Sequence, residues 1–498
     1  MYFIGYDAGS SSVKAALINA DNGQQVAVVQ SPATEMGIES PQPGWAEQDP
    51  AIWWQHLCLA TRQLLQQSGV KGHDVAGVGI SYQMHGLVAV DRSGNPLRPA
   101  IIWCDSRAVG IGEKAFAALG ERQCLSRLLN APGNFTASKL RWVQENEPDL
   151  YRHIHKFMLP GDYLAMRMSG EISTTSGGLS EGILWDYPAN SPADLLLAHY
   201  DMDRNLVPDL VENFQVQGRI SIHAAAELGL PAGIPLTYRA GDQPNNALAL
   251  NVLHPGTAAA TGGTSGVVYG VADAPVFDPQ SRVNAFLHVN HTTAVPRIGI
   301  LLCLNGAGIL YRWIRQVLGG TVSYDELEKL AAKVQIGSDG LVFLPFGNGA
   351  ERMLGNTDPG ARLSGLQFNR HNREQLVRAG LEGVAFALAY GMEVMRGMGL
   401  QLEVLRVGND NLFRSAIFST TLANCTGSRI EVFDTTGAYG AARAAAAGSG
   451  AFASLEEAMG TLRAVNAYVP DETAIAKQAF SAWKRELNSI LDSKPGIG

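Results

Sequence analysis

Hydrophobic and polar positions at the start of the chain form short apolar runs separated by small polar turns. Residues 2–6 are aromatic and β-branched enough for a strand, and residues 13–19 have the composition of a second strand. The connection AGSSS (8–12) between them is too short for anything but a tight turn, and ADNG (20–23) is typical of another turn. The pattern therefore predicts a strand, a turn and a second strand at the start of the chain.

Longer apolar segments predict buried elements of both kinds. Residues 75–82 and 234–241 are nearly continuous apolar runs, which are typical of buried strands. Apolar positions at helical spacing occur in four segments: 135–146, 360–383, 381–399 and 455–493. Because strand and helix patterns alternate along the chain, we expect α/β layers in both halves.

A second segment repeats the opening pattern about half a chain away. GTAAATGGTSGVVYG (256–270) again predicts a strand, a small-residue loop and a strand, and TGGTS (261–265) aligns with DAGSS (7–11). This separation is far longer than the period of about 20 to 50 residues in solenoid repeats. The repeat therefore predicts two related domains facing each other, residues 1–248 and residues 249–498.

Both loops have chemistry that suits phosphate. Backbone N–H groups and hydroxyls in a small-residue hairpin point into one concavity, which can hold phosphate oxygens. Asp7, at the mouth of the first loop, suits a hydrated Mg²⁺, a hard ion that prefers oxygen ligands. One such loop is a weak signal, because a solvated hairpin has the same composition. The second copy favours a nucleotide whose phosphates are held from both sides.

Composition excludes several classes of protein. The 498 residues are 46% hydrophobic and 17% charged, a balance typical of soluble globular chains. A net charge of −8 at pH 7 provides no basic surface for nucleic acid or an anionic membrane. Five scattered cysteines indicate neither a disulfide framework nor a zinc site, and they favour a reducing compartment. With no run of the roughly 18 apolar residues that a membrane helix needs, we expect a cytoplasmic protein with small-molecule partners.

Three further segments place chemistry-bearing residues at predicted strand ends: SYQMHGLVAVD (81–91), IIWCDSR (101–107) and RAGDQPNNALAL (239–250). With the two loops, they resemble the FGGY family of carbohydrate kinases over nearly the whole chain, and are most similar to its bacterial xylulokinase members. The resemblance implies an α/β fold of two actin-like (ribonuclease-H-like) ATPase domains with a cleft between them. It also implies transfer of a phosphoryl group from ATP, with Mg²⁺, to a ketopentose. The expected substrate is D-xylulose, phosphorylated at its terminal hydroxyl.

The resemblance assigns the metal to Asp7 and Asp242 and the nucleotide to three loops. The residues expected to contact ATP are Ser10, Ser11 and Lys14 in the first loop, Gly263, Thr264 and Ser265 in the second, and Gly408, Asn409 and Asn411 at the adenosine end. Ser10 stands where the family usually has Thr, which keeps the hydroxyl. At the adenosine end Gly408 is followed by Asn409, so the backbone approaches a base less freely than in the family's glycine-rich loop.

The sugar is assigned to the three quoted segments. Gln83 and His85 can each hydrogen-bond a sugar hydroxyl, and Met84 provides an apolar wall. Asp242 matches the family's catalytic aspartate, the carboxylate that accepts the proton of the sugar hydroxyl. The remaining residues that the resemblance brings to the sugar are Trp103, Asp105, Arg107 and Gln243.

Several departures from the family pattern leave alternatives open. Cys104 and Gln243 each stand where the family usually has Asn, so ribulose, a heptulose or gluconate is an alternative substrate. The changed adenosine loop leaves a non-catalytic, nucleotide-gated actin-like protein as a second alternative. The loop at 347–354 also departs from the family, and the segments 135–146 and 360–383, which resemble family signatures, are expected to be scaffold. A homodimer is the expectation from the family.

Overall fold

The computed structural model describes residues 1–493, which form two compact units. The N-terminal unit contains Met1–Asn251, Ala285–Ile298 and Thr435–Leu462, and the C-terminal unit contains Val252–Asn284, Gly299–Asp434 and the chain from Arg463 onward. The chain first passes from the N-terminal to the C-terminal unit after Asn251, close to the predicted boundary after residue 248. Nothing in the sequence pattern predicted the later points at which the chain passes between the units.

Strands and helices alternate through the described residues. The strands are β1 Tyr2–Ala8, β2 Val13–Asn19, β3 Gln24–Ser31, β4 Glu47–Gln48, β5 Val75–Tyr82, β6 Val88–Val90, β7 Ala100–Ile101, β8 Lys156–Met158, β9 Ser173–Thr174, β10 Trp185–Asp186, β11 Ser191–Pro192, β12 Asp209–Leu210, β13 Gly218–Arg219, β14 Pro235–Gly241, β15 Gly256–Gly262, β16 Gly266–Ala272, β17 Asn284–Leu287, β18 Ile298–Leu304, β19 Val342–Phe346, β20 Gly360–Ser364, β21 Leu402–Gly408, β22 Arg429–Phe433 and β23 Ala464–Tyr468.

The helices are α1 Pro50–Ser68, α2 Val109–Leu119, α3 Glu121–Leu128, α4 Thr136–Asn146, α5 Pro148–Tyr151, α6 Pro160–Ser169, α7 Ser176–Glu181, α8 Asp194–His199, α9 Ile222–Leu228, α10 Asp242–Ala249, α11 Gly308–Val317, α12 Tyr324–Ala331, α13 Arg373–Gly397, α14 Ala416–Thr426, α15 Gly437–Gly448, α16 Leu455–Met459 and α17 Thr473–Ser493. Short 3₁₀ turns occur at Gly72–Asp74, Arg204–Leu206, Ser338–Gly340, Arg352–Leu354 and Asn411–Arg414.

The sheet of the N-terminal unit brings three strand ends to one edge. Its order is β13-β14-β5-β1-β2-β3, with β1 and β2 forming the antiparallel hairpin that the sequence predicted. Strands β14, β5 and β1 run parallel, with Ala8 paired with Tyr82 and Tyr82 paired with Gly241. Because the carboxyl ends of parallel strands share an edge, the residues that follow these strands lie close together.

Glycines in two neighbouring strands allow helix α15 to pack directly on the sheet. A Cβ on Gly5 would lie 2.0 Å from the carbonyl oxygen of Ala438, and one on Gly79 would lie 2.4 Å from that of Ala441. Only a residue without a side chain permits such an approach. The close packing fixes the amino end of α15 near the edge where β1 and β5 end.

The sheet of the C-terminal unit repeats this arrangement. Six of its strands lie in the order β18-β16-β15-β21-β22-β23, with β15 and β16 antiparallel and β15 and β21 parallel. In both units a hairpin therefore has its first strand parallel to a strand from later in the chain. The loop after β15 and the loop after β21 share one edge of this sheet, as the corresponding loops do in the N-terminal unit.

Most sequence predictions of elements agree with the structure, and two need correction. The strands predicted at 13–19 and 75–82 have the observed bounds, and the helix predicted at 381–399 is part of α13. Residues 360–364 form strand β20 rather than the start of a helix, because they pair with β19. Residues 464–468 form strand β23 between two helices, since they complete the edge beside β22. Among the described helices, none combines the length and apolar character needed to span a bilayer.

Candidate active site

Two aspartates lie at the shared strand edge of the N-terminal unit. Asp7 is close to the end of β1, where the Ser81 hydroxyl donates to its Oδ1 over 3.1 Å, and Asp242 begins helix α10 directly after β14. Burial raises the pKa of Asp7, while Lys14 and the Ser81 hydroxyl act in the opposite direction. Burial, and then the charge of Asp7, raise the pKa of Asp242 to about 7, against hydrogen bonds from Gln243. The pair therefore holds a carboxyl that titrates near neutral pH.

The amino end of α15 faces Asp7. A Cβ on Gly437 would lie 2.9 Å from Asp7 Oδ2 and 3.1 Å from Asn246 Oδ1, so a side chain here would displace the Asp7 carboxylate. The Asn245 amide donates to the Gly437 carbonyl over 2.9 Å, which ties α10 to the start of α15. The free N–H groups at the start of a helix favour negative charge, so this placement stabilises an ionised Asp7.

The donors at this edge fit a hard divalent cation. Asp7 and Asp242 offer carboxylate oxygens, and a magnesium ion usually takes one or two carboxylates together with waters and substrate phosphates. Within residues 1–493 no cluster of three or more His, Cys, Asp or Glu side chains has the geometry of a metal site. Two carboxylates are nevertheless the number that such a cation needs from the protein.

The turn after β5 holds His85 in an unusual backbone conformation. His85 has a φ of 61°, in the left-handed region that few non-glycine residues adopt. Its Nδ1 lies 2.8 Å from the carbonyl oxygen of Glu181, and its ring packs against Phe135 and Phe286, with ring centres 4.7 and 5.3 Å away. These contacts hold the imidazole beside the strand edge despite the backbone strain.

Gln83 connects this turn to the first loop. Its side chain is 3% exposed, and its Nε2 donates to Gln48 Oε1 over 3.4 Å. Gln48 in turn donates to the carbonyl of Ser10 over 2.7 Å, and Trp103 Nε1 lies 3.3 Å from the Ser10 hydroxyl. Thus the structure brings Gln83, Trp103 and Ser10 together, whereas Ser11 is exposed in the turn.

Asp105 and Arg107 belong to a buried ion-pair network beside this edge. The Asp105 carboxylate accepts from the Ala46 backbone over 2.6 Å and from Arg107 Nη2 over 2.7 Å. Arg107 also pairs with Glu47 over 2.7 Å and stacks on the Trp45 ring, 3.8 Å from its centre. With these bonds the two side chains hold neighbouring backbone in place.

Lys139, in the segment 135–146 that the sequence analysis expected to be scaffold, joins two of the predicted sugar-binding turns. This lysine is fully buried on α4, and its ammonium donates to the carbonyls of His85 and Ile102, both over 2.9 Å. Burial lowers its pKa to about 7, against the opposing charge of Asp105. The signal in the sequence that could have indicated this role is a lysine among the apolar positions of the helix predicted at 135–146.

Glu181 is a second residue that the sequence reasoning missed. It ends the short helix α7, is 2% exposed, and lines a cavity of about 280 Å³ together with Met84, Arg239 and Gly241. Met84 lies against the backbone before Asp242, since a Cβ on Gly241 would lie 2.5 Å from Met84 Cγ. No chemical motif surrounds Glu181 in the sequence, so its position depends on tertiary packing alone.

The C-terminal unit has a larger cavity of about 600 Å³ at the corresponding edge. Gly263 and Thr264 from the second loop and Asn411 from the loop after β21 line it. Of the residues in this unit that were predicted to contact ATP, Ser265, Gly408 and Asn409 are not among those lining the cavity. Asn411 has a φ of 47°, the left-handed geometry that asparagine tolerates better than most residues.

The same cavity includes residues that sequence reasoning missed. Helix α11 begins at Gly308, whose N–H donates to the Gly263 carbonyl over 2.9 Å. The ring centres of Tyr311 and Tyr324, which also line the cavity, lie 5.1 Å apart. The amino end of α11 therefore adjoins the second loop, an arrangement that suits phosphate oxygens.

Glu351, in the altered loop at 347–354, has a structural role. It is 1% exposed, and its two carboxylate oxygens accept from the Asn305 N–H over 3.0 and 3.1 Å. Burial raises its pKa to about 7. Because Asn305 lies shortly before Gly308, this carboxylate supports the turn that leads into α11.

Comparison with known proteins gives matches along the chain. The N-terminal domain model of the FGGY family of carbohydrate kinases matches residues 2–249, and the C-terminal domain model matches residues 258–449. Xylulose kinase of Escherichia coli (strain K12) is 31% identical over 475 residues, covering 94% of each chain. L-xylulose/3-keto-L-gulonate kinase of the same organism is 31% identical over 493 residues, covering 95% of this chain and 93% of its own. The crystal structure of xylulose kinase from Rhodospirillum rubrum has a TM-score of 0.88 at 26% identity, covering 98% of this chain and 99% of its own.

Proposed function

The chain belongs to the FGGY family of carbohydrate kinases, and we propose that it transfers the γ-phosphoryl group of ATP to the terminal hydroxyl of D-xylulose. The observation that carries this proposal is the Asp242 carboxyl, with a pKa of about 7, beside Asp7 at a strand edge that also holds the His85 turn. Relatives with the name xylulose kinase support the choice of sugar.

Asp242 acts as the general base of this reaction. A base with a pKa near the working pH is ionised in a large fraction of molecules and still accepts a proton effectively. Its carboxylate takes the proton of the attacking hydroxyl, and Gln243, which hydrogen-bonds Asp242, orients it. Gln83, Met84, His85 and Trp103 hold the sugar, while Asp105 and Arg107 support the segment that carries Trp103.

The nucleotide binds to the cavity of the C-terminal unit. Gly263 and Thr264, with the amino end of α11, supply N–H groups for phosphate oxygens, and Asn411 contributes at the adenosine end. The rings of Tyr311 and Tyr324 offer apolar surface for the base. The residues of the N-terminal unit that bind the transferred phosphoryl group are Ser10, Ser11 and Lys14. In the C-terminal unit the loops that bind ATP also contain Ser265, Gly408 and Asn409, which have supporting roles.

Asp7 and Asp242 would hold the Mg²⁺ that accompanies ATP, and the bound ion would supply positive charge against the phosphate oxygens. The two carboxylates contribute oxygen ligands only, as the ion prefers, and Ser81 orients Asp7 through its hydrogen bond.

The substrate is an uncharged ketose. The carboxyls of Asp7 and Asp242 lie near this edge, and in their ionised forms they repel the carboxylate of a sugar acid. Gluconate is therefore a poorer substrate than D-xylulose, although some relatives act on acidic sugars by name. Ribulose and a heptulose are the neutral alternatives that the sequence left open.

Exchange of Asp242 tests the proposal directly. The variant Asp242→Asn keeps the shape of the side chain but removes the base, so kcat for D-xylulose should fall by about 10² to 10⁴. Sugar binding, measured by tryptophan fluorescence, should remain within roughly threefold of wild type. Asp209→Asn, which changes an exposed aspartate on β12, is the matched control and should leave kcat unchanged. Retention of full phosphoryl transfer by Asp242→Asn would show that this residue is not the base.

A further inference from the structure

The Glu181 carboxyl lies directly against the backbone that carries the proposed base. A Cβ on Gly241 would lie only 2.2 Å from Glu181 Oε2, so this carboxyl occupies the space beside the residue before Asp242. The carbonyl of Glu181 also holds the imidazole of His85 at 2.8 Å. One residue of α7 therefore contacts both the β5 turn and the end of β14, which carry the proposed sugar-binding residues.

One oxygen of this carboxyl has no hydrogen-bond partner. Glu181 Oε1 is buried and unpaired, and Glu181 lines the cavity of about 280 Å³. A buried polar atom without a partner costs free energy, and such atoms are rare in folded proteins. An unpaired oxygen on a residue that lines a cavity points to a ligand that supplies the missing hydrogen bond.

The surroundings of Glu181 favour its uncharged form. Burial, and then the charges of Asp242 and Asp162, raise its pKa well above the usual value, while the Tyr82 hydroxyl and the His85 N–H oppose the shift. Arg239, the cation on β14, is paired with Asp162 over 3.5 Å. A neutral carboxyl can donate as well as accept, so it can bind a hydroxyl or a ketone oxygen without adding negative charge beside Asp242.

We propose that Glu181 is a specificity-determining residue, whose Oε1 hydrogen-bonds an oxygen of an uncharged sugar in the cavity beside Gly241. This inference rests on the proposed function, because it assumes that the sugar binds where Asp242 can act as base. Met84 and Phe286, which line the same cavity, provide apolar surface for the carbon chain of the sugar.

Two substitutions test this role. In Glu181→Leu the hydrogen bond is lost, and the KM for D-xylulose should rise at least about tenfold while the KM for ATP stays within twofold. In Glu181→Gln the amide keeps the shape of the side chain and can still donate and accept a hydrogen bond, so the sugar KM should stay within about threefold. Glu113→Gln, on an exposed face of α2, is the control and should not change either KM.

The Gln variant separates substrate binding from a structural role. The amide keeps the size of the acid and can still hydrogen-bond the sugar, so only the Leu variant should lose affinity for it. A Gln variant whose sugar KM rises tenfold or more, or a folded Leu variant whose sugar KM is within twofold of wild type, would overturn the inference. The Gln variant gives this test even if the Leu variant does not fold.

The proposed function and this inference fail in different ways. If wild type phosphorylates no ketose in a panel, the proposed function is wrong, and the inference falls with it. If wild type phosphorylates D-xylulose but the Glu181 variants behave like wild type, only the inference is wrong. Direct binding of D-xylulose without ATP, measured by calorimetry, checks the same contact independently of turnover.

Discussion

Replacing Lys139 with methionine removes a buried amino group but keeps most of the apolar stem. The amino group bonds the carbonyls of His85 and Ile102, both over 2.9 Å, so it ties the β5 turn to the segment that carries Trp103. We expect Lys139→Met to destabilise the N-terminal unit and to raise the KM for the sugar, because both turns lose a shared anchor.

The size of the effect follows from the two carbonyls that lose their partner. Each buried carbonyl left without a hydrogen bond costs about 1–3 kcal/mol. Methionine also removes the cost of burying an amine. The net loss of folding stability should therefore lie in the lower half of the summed cost of the two carbonyls, at roughly 2–4 kcal/mol. For a unit of this size that corresponds to a fall in melting temperature of roughly 5 °C.

The lowered pKa of Lys139 adds a dependence on pH. The folded lysine loses its proton at about pH 7, whereas the unfolded lysine keeps its proton up to its usual value of 10.5. Between these values the unfolded chain binds more protons, so the stability due to Lys139 rises with pH. The difference in stability between wild type and Lys139→Met should therefore grow by up to about 1.4 kcal/mol per pH unit above pH 7.

Thermal melts at pH 7 and pH 8.5, with steady-state kinetics for sugar and ATP, measure these effects. Lys114→Met, an exposed lysine on α2, is the matched control and should melt with wild type at both pH values. A Lys139→Met protein that melts within 1 °C of wild type, with an unchanged sugar KM, would refute the reasoning. A stability difference that is the same at both pH values would refute the lowered pKa alone.

Three further predictions concern the acid pair and the nucleotide cavity. Asp242 must be ionised to act as a base and has a pKa of about 7, so kcat/KM for the sugar should fall tenfold for each pH unit below 7. A flat pH profile from 5.5 to 8 would contradict this prediction. Gly308→Ala would bring a Cβ within 2.3 Å of the Gly263 carbonyl oxygen, so binding of a fluorescent ATP analogue should weaken at least about tenfold. Gly397→Ala, where a Cβ would have no neighbour within 4 Å, is the control and should not weaken binding. Glu351→Gln weakens support for the turn before α11, so it should raise the KM for ATP about threefold or more; a change in the sugar KM alone would count against it.

The pattern of apolar and polar residues predicted the elements whose structure depends on neighbouring positions in the sequence. The hairpin of β1 and β2 and strand β5 follow from alternating apolar residues and small-residue turns, which act over a few positions. The resemblance to FGGY carbohydrate kinases is confirmed by family models over both halves, and the predicted α/β, actin-like fold class is confirmed by the solved sugar kinases that share it. The cytoplasmic location, the homodimer and the individual site roles stay predictions.

Tertiary packing decided what the sequence could not show. Glu181 and Lys139 gain their properties from burial against segments far away in the chain, such as Gly241 and Ile102. No motif surrounds Glu181 in the sequence, the segment of Lys139 was expected to be scaffold, and a pKa shift depends on the surroundings in three dimensions. Strand β23 was missed for the same reason, since its residues are mostly exposed and become a strand only by pairing with β22.

The central claim is most directly tested by the product that the purified protein forms from D-xylulose and ATP with Mg²⁺. The account predicts ADP release that depends on the sugar, and a single phosphorylated product carrying its phosphate on the terminal hydroxyl, identified by phosphorus NMR. D-xylulose should exceed ribulose and gluconate in kcat/KM. ADP release at the same rate without any sugar, or a preference for gluconate, would contradict the account.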